Sequence, residues 1–308
     1  MSASRSGFRL ALASCAQFPS VHPDDVYFVS VLERLGIETA VCVWNDPAVD
    51  WTAFDAVLIR TVWDYFKHYA AFLAWLDTLD RLGVPTINDT QLLRWNSEKC
   101  YLLDIEQEGV AIIPTRVAPA GQLRQVLSSV AQQELVIKPS VSGGAWHTVR
   151  GTPGDASFEQ AVAQLPAELD FLIQPFVPEI ASRGEWSLLY FAGTYSHAVL
   201  KLPAAGDYRV QDEHGGVATQ TMPDISVVQA ADKALAAVAA LGHREQAYAR
   251  VDGVVIDDQF RIMELELIEP LLHLAIRPEA AERFAAHVLE RLLRLRYERS
   301  PATNGGAA

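Results

Sequence analysis

The chain has 308 residues, of which 50% are hydrophobic, so it can bury a large core and form two or three lobes. Its formal net charge is −13 and its pI is about 5.0. Nucleic acids and anionic membranes are bound by basic surfaces, so this charge argues against both as partners. Any polyanionic ligand must therefore be met by a small local cluster of basic side chains.

Three cysteines, Cys15, Cys42 and Cys100, show no metal-ligand spacing, and their odd number does not fit a disulfide framework. The apolar stretch at residues 8–16 is too short to span a bilayer and is typical of a buried first strand. We therefore expect a cytoplasmic protein without a membrane partner. A homodimer is the default assembly for such a protein.

Residues 1–90 alternate predicted strands and helices, which is typical of parallel βαβ units in an open sheet. The predicted strands are residues 8–16, 38–43 and 54–59, and the predicted helices are residues 23–35 and 66–82. Ligands of such sheets bind beyond the carboxyl ends of the strands. This rule marks residues 15–22 and 60–65 as candidate substrate loops, in which Arg60 and Asp64 are candidate substrate-binding residues. Simple packing is an equal alternative for the aromatic residues Trp63 and Tyr65.

Two lysines in the next segment are candidates for binding an anion. Lys99 lies in the first turn of a helix predicted from Asn96 to Glu108, where a cation opposes the helix dipole unless an anion is bound. Lys138 ends an apolar strand, and the small residues 142–145 that follow allow backbone N–H groups to approach a phosphate closely. The pattern GxxxxGK[ST] is absent, so this segment is not a P-loop. An isolated surface lysine is the alternative interpretation of Lys99.

The second half of the chain is predicted to add a strand, a hairpin, two helices and a tail. The strand begins at residue 171, and the hairpin pairs residues 186–191 with residues 195–201. Alternation along the second hairpin strand predicts one shared face for Tyr195, His197, Val199 and Lys201. Helices are predicted at residues 226–241 and from Pro278 onward, and residues 298–308 are predicted to be a disordered tail.

A second hairpin, AYARVDGVVIDDQFRIMELELIEP, places three carboxylates on one patch of a sheet. Its predicted strands are residues 247–256 and 260–268 around a three-residue turn, which sets Asp252 opposite Glu264. Glu266 shares the face of Glu264, since side chains alternate across a strand. Like charges facing each other destabilise a sheet, and the run MELELIE contains no lysine, so we infer that a cation is missing from the chain. Mg²⁺ bound through oxygen ligands is the expected cation, and a solvent-exposed acidic hairpin is the alternative.

Several strings occur in the order in which an ATP-grasp enzyme carries them: Lys99, VIKP with SVSGGA, QPFVPEI, GEWS, GDYRVQDEHGG, RVD and ELE. The sequence resembles that superfamily from about residue 88 to residue 297, including glutathione synthetase. The strings IRTVWDY, LLRWNSEKCYLLD, YSHAVLK and ELELIEP are most similar to the cycloserine synthetase group, the O-ureido-serine cyclo-ligases. The resemblance implies a mixed α/β and α+β chain in which an ATP-grasp fold follows the small parallel-sheet domain. Its lid subdomain would span about residues 110–173 and its C-terminal sheet about residues 174–297.

The resemblance also implies residues that bind ATP. Lys99 and Lys138 would bind the α- and β-phosphates, and Lys201 would meet the terminal phosphates and assist catalysis. The remaining nucleotide-binding residues would form the lid, the adenine slot and the ribose contact: Ser142, Gly143, Gly144, Ala145, Gln174, Phe176, Val177 and Glu185.

Further implied roles concern the metal ions and the substrate. Asp252, Glu264 and Glu266 would hold two Mg²⁺ ions, for which Mn²⁺ can substitute, and Arg209 would steady the transferring phosphoryl group and the substrate carboxylate. The chain departs from the pattern at two positions. Glu266 stands where many relatives have asparagine, and Leu271 stands where the cycloserine-like group favours serine. Arg60, Asp64, Arg209 and Glu269 are the candidate substrate contacts.

These features predict a ligase that joins a carboxylate to an amine through an acyl phosphate, on a small amino-acid-derived substrate and including ring closure within one molecule. Phosphoryl transfer needs positioning and charge neutralisation rather than a nucleophilic side chain. A small-molecule kinase and a catalytically silent nucleotide-binding regulator are the alternatives, and they differ from a ligase in whether ADP and free phosphate appear. His197, His214 and His273 are candidates for removing a proton from the amine, although packed histidines are favoured.

Overall fold

The computed structural model describes residues 7–204, 207, 209–210 and 215–299. The amino-terminal part is a parallel sheet of order β2-β1-β3-β4. Its strands are β1 (Phe8–Ser14), β2 (Ile37–Val43), β3 (Ala56–Thr61) and β4 (Thr86–Ile87), and its helices are α1 (Val26–Arg34) and α2 (Tyr69–Leu82). The βαβ arrangement predicted from the alternation of elements is confirmed. The central strand β1 carries apolar residues on both faces and is almost completely buried, as expected for a parallel sheet that is covered on both sides.

Two short helices, α3 (Thr90–Asn96) and α4 (Tyr101–Gln107), follow this sheet. The prediction of one helix starting at Asn96 was wrong, because Asn96 ends α3 and Lys99 lies in the connection before α4. The Asn96 side chain instead donates to Leu265 O at 2.9 Å and accepts from Leu267 N at 2.8 Å. This tie to the C-terminal sheet fixes the connection that carries Lys99.

The middle of the chain forms a second, antiparallel sheet of order β5-β8-β6-β7. Its elements are β5 (Arg116–Ala118), α5 (Leu123–Leu127), β6 (Leu135–Pro139), β7 (Val149–Gly151), α6 (Ala156–Ala163) and β8 (Phe171–Pro175). The helices pack on it through Leu127, Phe158 and Val162, which form a separate small core. The predicted lid boundary at residue 173 falls inside β8, so this sheet extends to Pro175.

The third sheet is antiparallel and has the order β11-β10-β9-β12-β13. Its elements are α7 (Glu179–Arg183), β9 (Glu185–Phe191), β10 (Thr194–Leu202), β11 (Val217–Gln220), α8 (Ile225–Ala240), β12 (Tyr248–Ile256) and β13 (Gln259–Glu266), followed by α9 (Pro278–Arg299). Helix α8 covers one face of this sheet. The helix α9 continues through Glu298 and Arg299, which corrects the predicted start of the tail; residues 300–308 lie outside the described residues.

Helix α9 also joins the first and third sheets into one core. The ring of Phe284 stacks on Phe28 of α1 at 4.7 Å between centroids and on Phe191 of β9 at 4.6 Å. Such stacked aromatic pairs contribute about 0.5–1.5 kcal/mol beyond the area that they bury. The Tyr248 hydroxyl of β12 also donates to Ile59 O of β3 at 3.3 Å, which ties β3 to the third sheet. None of the helices within the described ranges is long and apolar enough to cross a membrane.

Candidate active site

The β12–β13 hairpin sets Asp252 opposite Glu264, as predicted, and sets Arg250 opposite Glu266. The pairing arises by a different route from the one expected. The turn contains two residues, Asp257 and Asp258, with φ of 48° and 59°, and a one-residue register shift after Asp252 restores the predicted pair. Positive φ at both central residues is characteristic of a type I′ hairpin, whose twist matches that of the strands.

The inference that the chain lacks a neutralising cation for this patch was wrong. The Arg250 guanidinium contacts Asp252 at 2.9 Å and also pairs with Glu266. Lys99, from the α3–α4 connection, lies 2.8 Å from Glu264. Alternation already places residue i−2 on the face of residue i, so the string RVD carried the signal for Arg250. The contribution of Lys99 depends on tertiary packing and had no signal in the hairpin itself.

Strands β9 and β10 extend the same face with a second acid–base pair. Lys201 Nζ lies 2.6 Å from Glu185 and 3.8 Å from Asp252, and the Ser187 hydroxyl donates to Asp252. Asp252 is only 3% exposed. This buried carboxylate is therefore surrounded by two cations and a hydroxyl donor, and Glu185, the predicted ribose contact, is occupied by Lys201.

The carboxyl groups of the patch divide into two electrostatic classes. Although burial favours the neutral form, Arg250 and Lys201 hold the pKa of Asp252 at about 2. Burial raises the pKa of Glu266 to about 7; Arg250 opposes this effect, and the charges of Asp252 and Glu264 strengthen it. Burial and the charge of Glu266 likewise raise the pKa of Glu269 to about 8. The patch therefore has more acid than its own cations neutralise.

Lys138 faces the same region from the end of β6. Burial lowers the pKa of its ammonium group, and the Glu264 carboxylate offsets part of this effect. Within the described part of the chain, no hydrogen bond or ion pair involves this ammonium group. This half-buried cation without an ion-pair partner is therefore a candidate contact for an anionic ligand.

The loop after β6 lies between Lys99 and the first sheet. Lys99 Nζ donates to Ser142 O at 2.6 Å, and the Lys99 backbone N–H donates to Ser140 O at 2.7 Å. Gly143 packs so closely on Phe66 that a Cβ atom there would lie 2.7 Å from its ring. The Trp146 ring is 5.6 Å from the Phe66 ring, and Gly144 and Ala145 both adopt positive φ. The predicted nucleotide lid is thus docked on the amino-terminal sheet.

The predicted adenine residues lie at the junction of β8 and α7. Gln174 donates to Thr115 Oγ1 at 2.8 Å, and the Phe176 backbone N–H donates to Glu134 O at 2.8 Å. The Arg150 guanidinium lies 3.5 Å from the centre of the Phe176 ring, and Val177 is buried. An adenine at this junction would meet a cation–π pair, and the Phe176 N–H already has a backbone acceptor.

The predicted substrate residues Arg60, Asp64 and Arg209 are each bound to another side chain of the protein. Arg60 is 4% exposed and forms a bidentate pair with Asp25 at 2.9 and 3.0 Å, so it does not offer a free guanidinium. Asp64 accepts from Trp44 Nε1 at 2.7 Å. Arg209 pairs with Asp207 at 2.8 Å. Arg60, within β3, and Asp64, in the loop after it, therefore hold the local structure at this end of the strand.

Among the candidate histidines, His197 is a packed residue, as the alternative interpretation held. Its Nε2 lies 3.1 Å from Leu272 O, and burial lowers its pKa to about 4. A register shift in β10 turns Tyr195 to the opposite face, where it packs on Tyr190, so the predicted common face of Tyr195 and His197 was wrong. His273 is 6% exposed with φ of 51°, and His214 lies outside the described residues.

The donor set of the patch fits Mg²⁺ in its chemistry, since hard divalent cations prefer carboxylate oxygens. The raised pKa values of Glu266 and Glu269 mark a place where additional positive charge is favourable. In the residues that the structure describes, no group of three or more acidic, histidine or cysteine side chains is already arranged around an ion position. Glu264 and Glu266 would exchange Lys99 and Arg250 for the metal.

Comparisons with known proteins identify the family. The family described as D-cycloserine synthetase DcsG, N-terminal domain, matches residues 10–88. The cycloserine biosynthesis protein DcsG of Streptomyces lavendulae is 33% identical over 298 residues, which cover 92% of this chain and 98% of that protein. A crystal structure of D-cycloserine synthetase DcsG has a TM-score of 0.82 at 32% identity, with coverage of 92% and 99% of the two chains.

A more distant likeness extends to another ligase. The D-alanine–D-alanine ligase of Bacillus anthracis complexed with ATP has a TM-score of 0.63 at 16% identity, covering 94% of this chain and 99% of that one. This second likeness shows the fold, whereas the likeness to DcsG extends over nearly the whole of both sequences. The chain therefore belongs to the DcsG family of ATP-grasp ligases.

Proposed function

We propose that this ATP-dependent carboxylate–amine ligase uses Mg²⁺ and activates a small amino-acid-derived carboxylate as an acyl phosphate. The observation that carries the proposal is the half-buried Lys138 ammonium group at the end of β6, which makes no hydrogen bond or ion pair with any residue that the structure describes and interacts electrostatically with Lys99 and Glu264. An anionic ligand of high charge, such as a nucleoside triphosphate, would supply the missing negative charge. The lid loop, residues 140–147, is bound to Lys99 through Ser142 O and would offer backbone N–H donors to such a ligand.

The acids and bases of the patch then take distinct roles. Lys99, Lys138 and Lys201 would neutralise the phosphates, and Arg209 would steady the carboxylate that is activated. Mg²⁺ held by Asp252, Glu264 and Glu266 would supply charge neutralisation at the terminal phosphates. Because Lys99 and Lys201 already touch Glu264 and Glu185, nucleotide binding would exchange protein counterions for ligand contacts.

The acyl-phosphate step follows from elementary reactivity. A carboxylate is a poor electrophile, whereas its acyl phosphate releases phosphate readily when an amine attacks. The protein then has to position the reacting groups and to exclude water, because water would hydrolyse the acyl phosphate. The contact of Trp146 of the lid with Phe66, in the segment after β3, would provide such a cover. Gln174, Phe176 and Val177 would form the slot for the adenine.

Phosphate release tests this proposal. The protein is incubated with ATP, Mg²⁺ and a panel of amino acids, and ADP, free phosphate and product mass are measured. A ligase yields ADP and free phosphate in equal amounts, a kinase yields ADP without free phosphate, and a silent regulator yields neither. Ring closure within one molecule gives a product lighter than the substrate by one water.

A pair of variants ties the result to the site. Lys138→Met should weaken MgATP binding strongly, because it removes the unpartnered cation. Lys233→Met removes an exposed lysine of α8 and serves as the matched control. Equal MgATP affinity of the two variants would contradict the phosphate-binding role of Lys138.

A further inference from the structure

Strand β13 is the edge strand of the third sheet in the part of the chain that the structure describes, and two kinds of partner cover its outer edge. Near its start, residues 111–113 pair with Ile262 through two backbone hydrogen bonds, of 2.9 and 3.0 Å. Beyond Glu264, side chains take over this role. The outer edge therefore changes from backbone partners to side-chain partners where the acids of the patch lie.

Two side chains, one at each end of the α3–α4 connection, hold this second stretch. Asn96 donates from its amide nitrogen to Leu265 O at 2.9 Å and accepts from Leu267 N at 2.8 Å. The Tyr101 hydroxyl donates to Leu265 O at 2.9 Å and accepts from Leu265 N at 2.8 Å. The amide of Asn96 thus bridges the two neighbours of Glu266, as the backbone of a parallel partner strand would.

All of these groups are removed from water, since Asn96, Tyr101, Leu265 and Leu267 are buried. Buried backbone N–H and C=O groups need hydrogen-bond partners, so the two side chains fix the path of residues 265–267. Their hydrogen bonds go to the backbone and not to a carboxylate. The backbone that they hold is nevertheless the backbone that carries the acids, because the two glutamates of β13 flank Leu265.

The connection itself does not act as a further strand. Within the described residues, the backbone of residues 97–100 forms no hydrogen bond with β13. Free of such pairing, the connection brings Lys99 Nζ to 2.8 Å from Glu264, and the Lys99 N–H donates to Ser140 O at 2.7 Å. The same short segment therefore contacts an acid of the patch, the backbone beside that acid and the lid loop.

We propose that Asn96 and Tyr101 are positioning residues of the metal site, which fix the outer edge of β13 so that the carboxylates of Glu264 and Glu266 are held together for binding Mg²⁺. The inference rests on the proposed function and deepens it, since it concerns the same metal ion. Neither positioning residue binds the ion. Groups that orient metal ligands typically change metal affinity about ten- to a hundredfold when they are removed.

Titration with Mn²⁺, followed by electron paramagnetic resonance, tests the inference without relying on catalytic activity. The protein is combined with a non-hydrolysable ATP analogue that is kept below the protein concentration, so that little free analogue competes for the ion. Tyr101→Phe keeps the buried ring and removes the hydroxyl, and its Kd for Mn²⁺ should rise about tenfold. Tyr190→Phe is the matched control, because Tyr190 lies in the same hydrophobic core and its hydroxyl donates to Asp232 of α8 at 2.8 Å. Its Kd for Mn²⁺ should equal that of the wild type.

A second matched pair tests the amide. Asn96→Ala removes two buried hydrogen bonds and should raise the Kd for Mn²⁺ about ten- to a hundredfold. Gln246→Ala also removes two hydrogen bonds of a buried amide, which go to Leu235 O at 3.2 Å and His243 O at 2.9 Å. Gln246→Ala should leave the Kd for Mn²⁺ unchanged, although both variants should lose stability in urea titrations.

Two further readouts separate metal positioning from a general loss of structure. The spectrum of bound Mn²⁺ reports the symmetry of its ligands, so its line shape should change in Tyr101→Phe and not in Tyr190→Phe. In a Glu264→Gln background, Tyr101→Phe should have a smaller effect on Mn²⁺ affinity than in the wild type, because the hydroxyl acts through the backbone of that acid.

The outcomes distinguish failure of the inference from failure of the proposed function. Unchanged Mn²⁺ affinity in Glu264→Gln contradicts the proposed metal site and overturns the inference with it. If Glu264→Gln weakens Mn²⁺ binding while Tyr101→Phe and Tyr190→Phe have equal affinities, the metal site stands and the positioning role is overturned. Full additivity of Tyr101→Phe and Glu264→Gln overturns that role as well, since the hydroxyl would then act elsewhere.

Discussion

Arg250→Met is the substitution that most directly tests the electrostatic design of the patch. Asp252 is 3% exposed and depends on the Arg250 guanidinium at 2.9 Å for its charge. Removing one partner of a buried ion pair typically costs about 3–5 kcal/mol, because the remaining charge is left uncompensated. The same arginine also donates to Leu271 O at 3.2 Å, so the segment after β13 loses a hydrogen bond as well. We expect a total near the upper end of this range.

Thermal unfolding measures this loss. At roughly 2 °C per kcal/mol for a chain of this size, Arg250→Met should lower Tm by about 6–10 °C. Arg294→Met, which breaks a surface contact of an arginine that is 45% exposed, is the control and should cost less than about 1 kcal/mol. Adding Mg²⁺ should raise the Tm of Arg250→Met more than that of the wild type, because the ion replaces the missing counterion.

A triple variant separates the effect of charge from the effect of packing. Arg250→Met combined with Asp252→Asn and Glu266→Gln leaves no unpaired charge and should recover most of the lost stability, since neutral replacement of a buried pair is often tolerated. A Tm of Arg250→Met within about 2 °C of the wild type would contradict the idea that Asp252 is left with an uncompensated charge. The idea fails equally if the triple variant is no more stable than the single one, since the loss would then come from packing.

Three other expectations concern neighbouring residues. Because the folded-state pKa of Glu269 is raised to about 8 from 4.5, the folded protein binds the extra proton, and stability should fall as pH rises from about 4.5 to about 8. Glu269→Gln should flatten this fall by up to about 1.4 kcal/mol per pH unit in urea titrations, and an unchanged slope would contradict the shift. Gly253→Ala would place a Cβ 2.5 Å from Arg261 O and should lower the free energy of unfolding, measured by urea titration, by about 1–3 kcal/mol. An unchanged free energy would contradict this clash. Gly143→Ala would place a Cβ 2.7 Å from the Phe66 ring and should raise the KM for ATP by displacing the lid. Adding Phe66→Leu should restore the wild-type KM, and failure to do so would show that the lid binds nucleotide without docking on Phe66.

The local pairing of β12 with β13 shows how far sequence patterns reach. Alternation of apolar and acidic residues was sufficient to predict that Asp252 faces Glu264, and the observed pairing confirms it. The length of the turn was predicted wrongly. A two-residue turn with a bulge pairs Asp252 with Glu264 just as a three-residue turn without a bulge does, so the pattern does not distinguish the two. Strand patterns report faces and approximate register, whereas bulges depend on how the strand meets its other neighbour.

Sequence patterns could not predict the long-range ion pairs. Lys99 is 165 positions before Glu264, and their contact depends on how the α3–α4 connection is tied to the third sheet. Arg60 was expected to be a free substrate contact because it follows a buried strand. Its pairing with Asp25, 35 positions earlier, depends on how the loop before α1 folds against β3. A charged residue at a strand end has the same local pattern in either role.

The sequence by itself determined the parallel amino-terminal sheet, the family resemblance and the grouping of three acids on one face, because these follow from local periodicity and ordered motifs. Only the tertiary structure decided which cations neutralise those acids, that the lid docks on Phe66, and that side chains from distant segments bind the backbone carbonyls of residues 267–272. The physical reason is that periodicity is a property of neighbouring residues. Charge compensation and backbone satisfaction depend instead on which segments the folded chain brings within hydrogen-bonding distance.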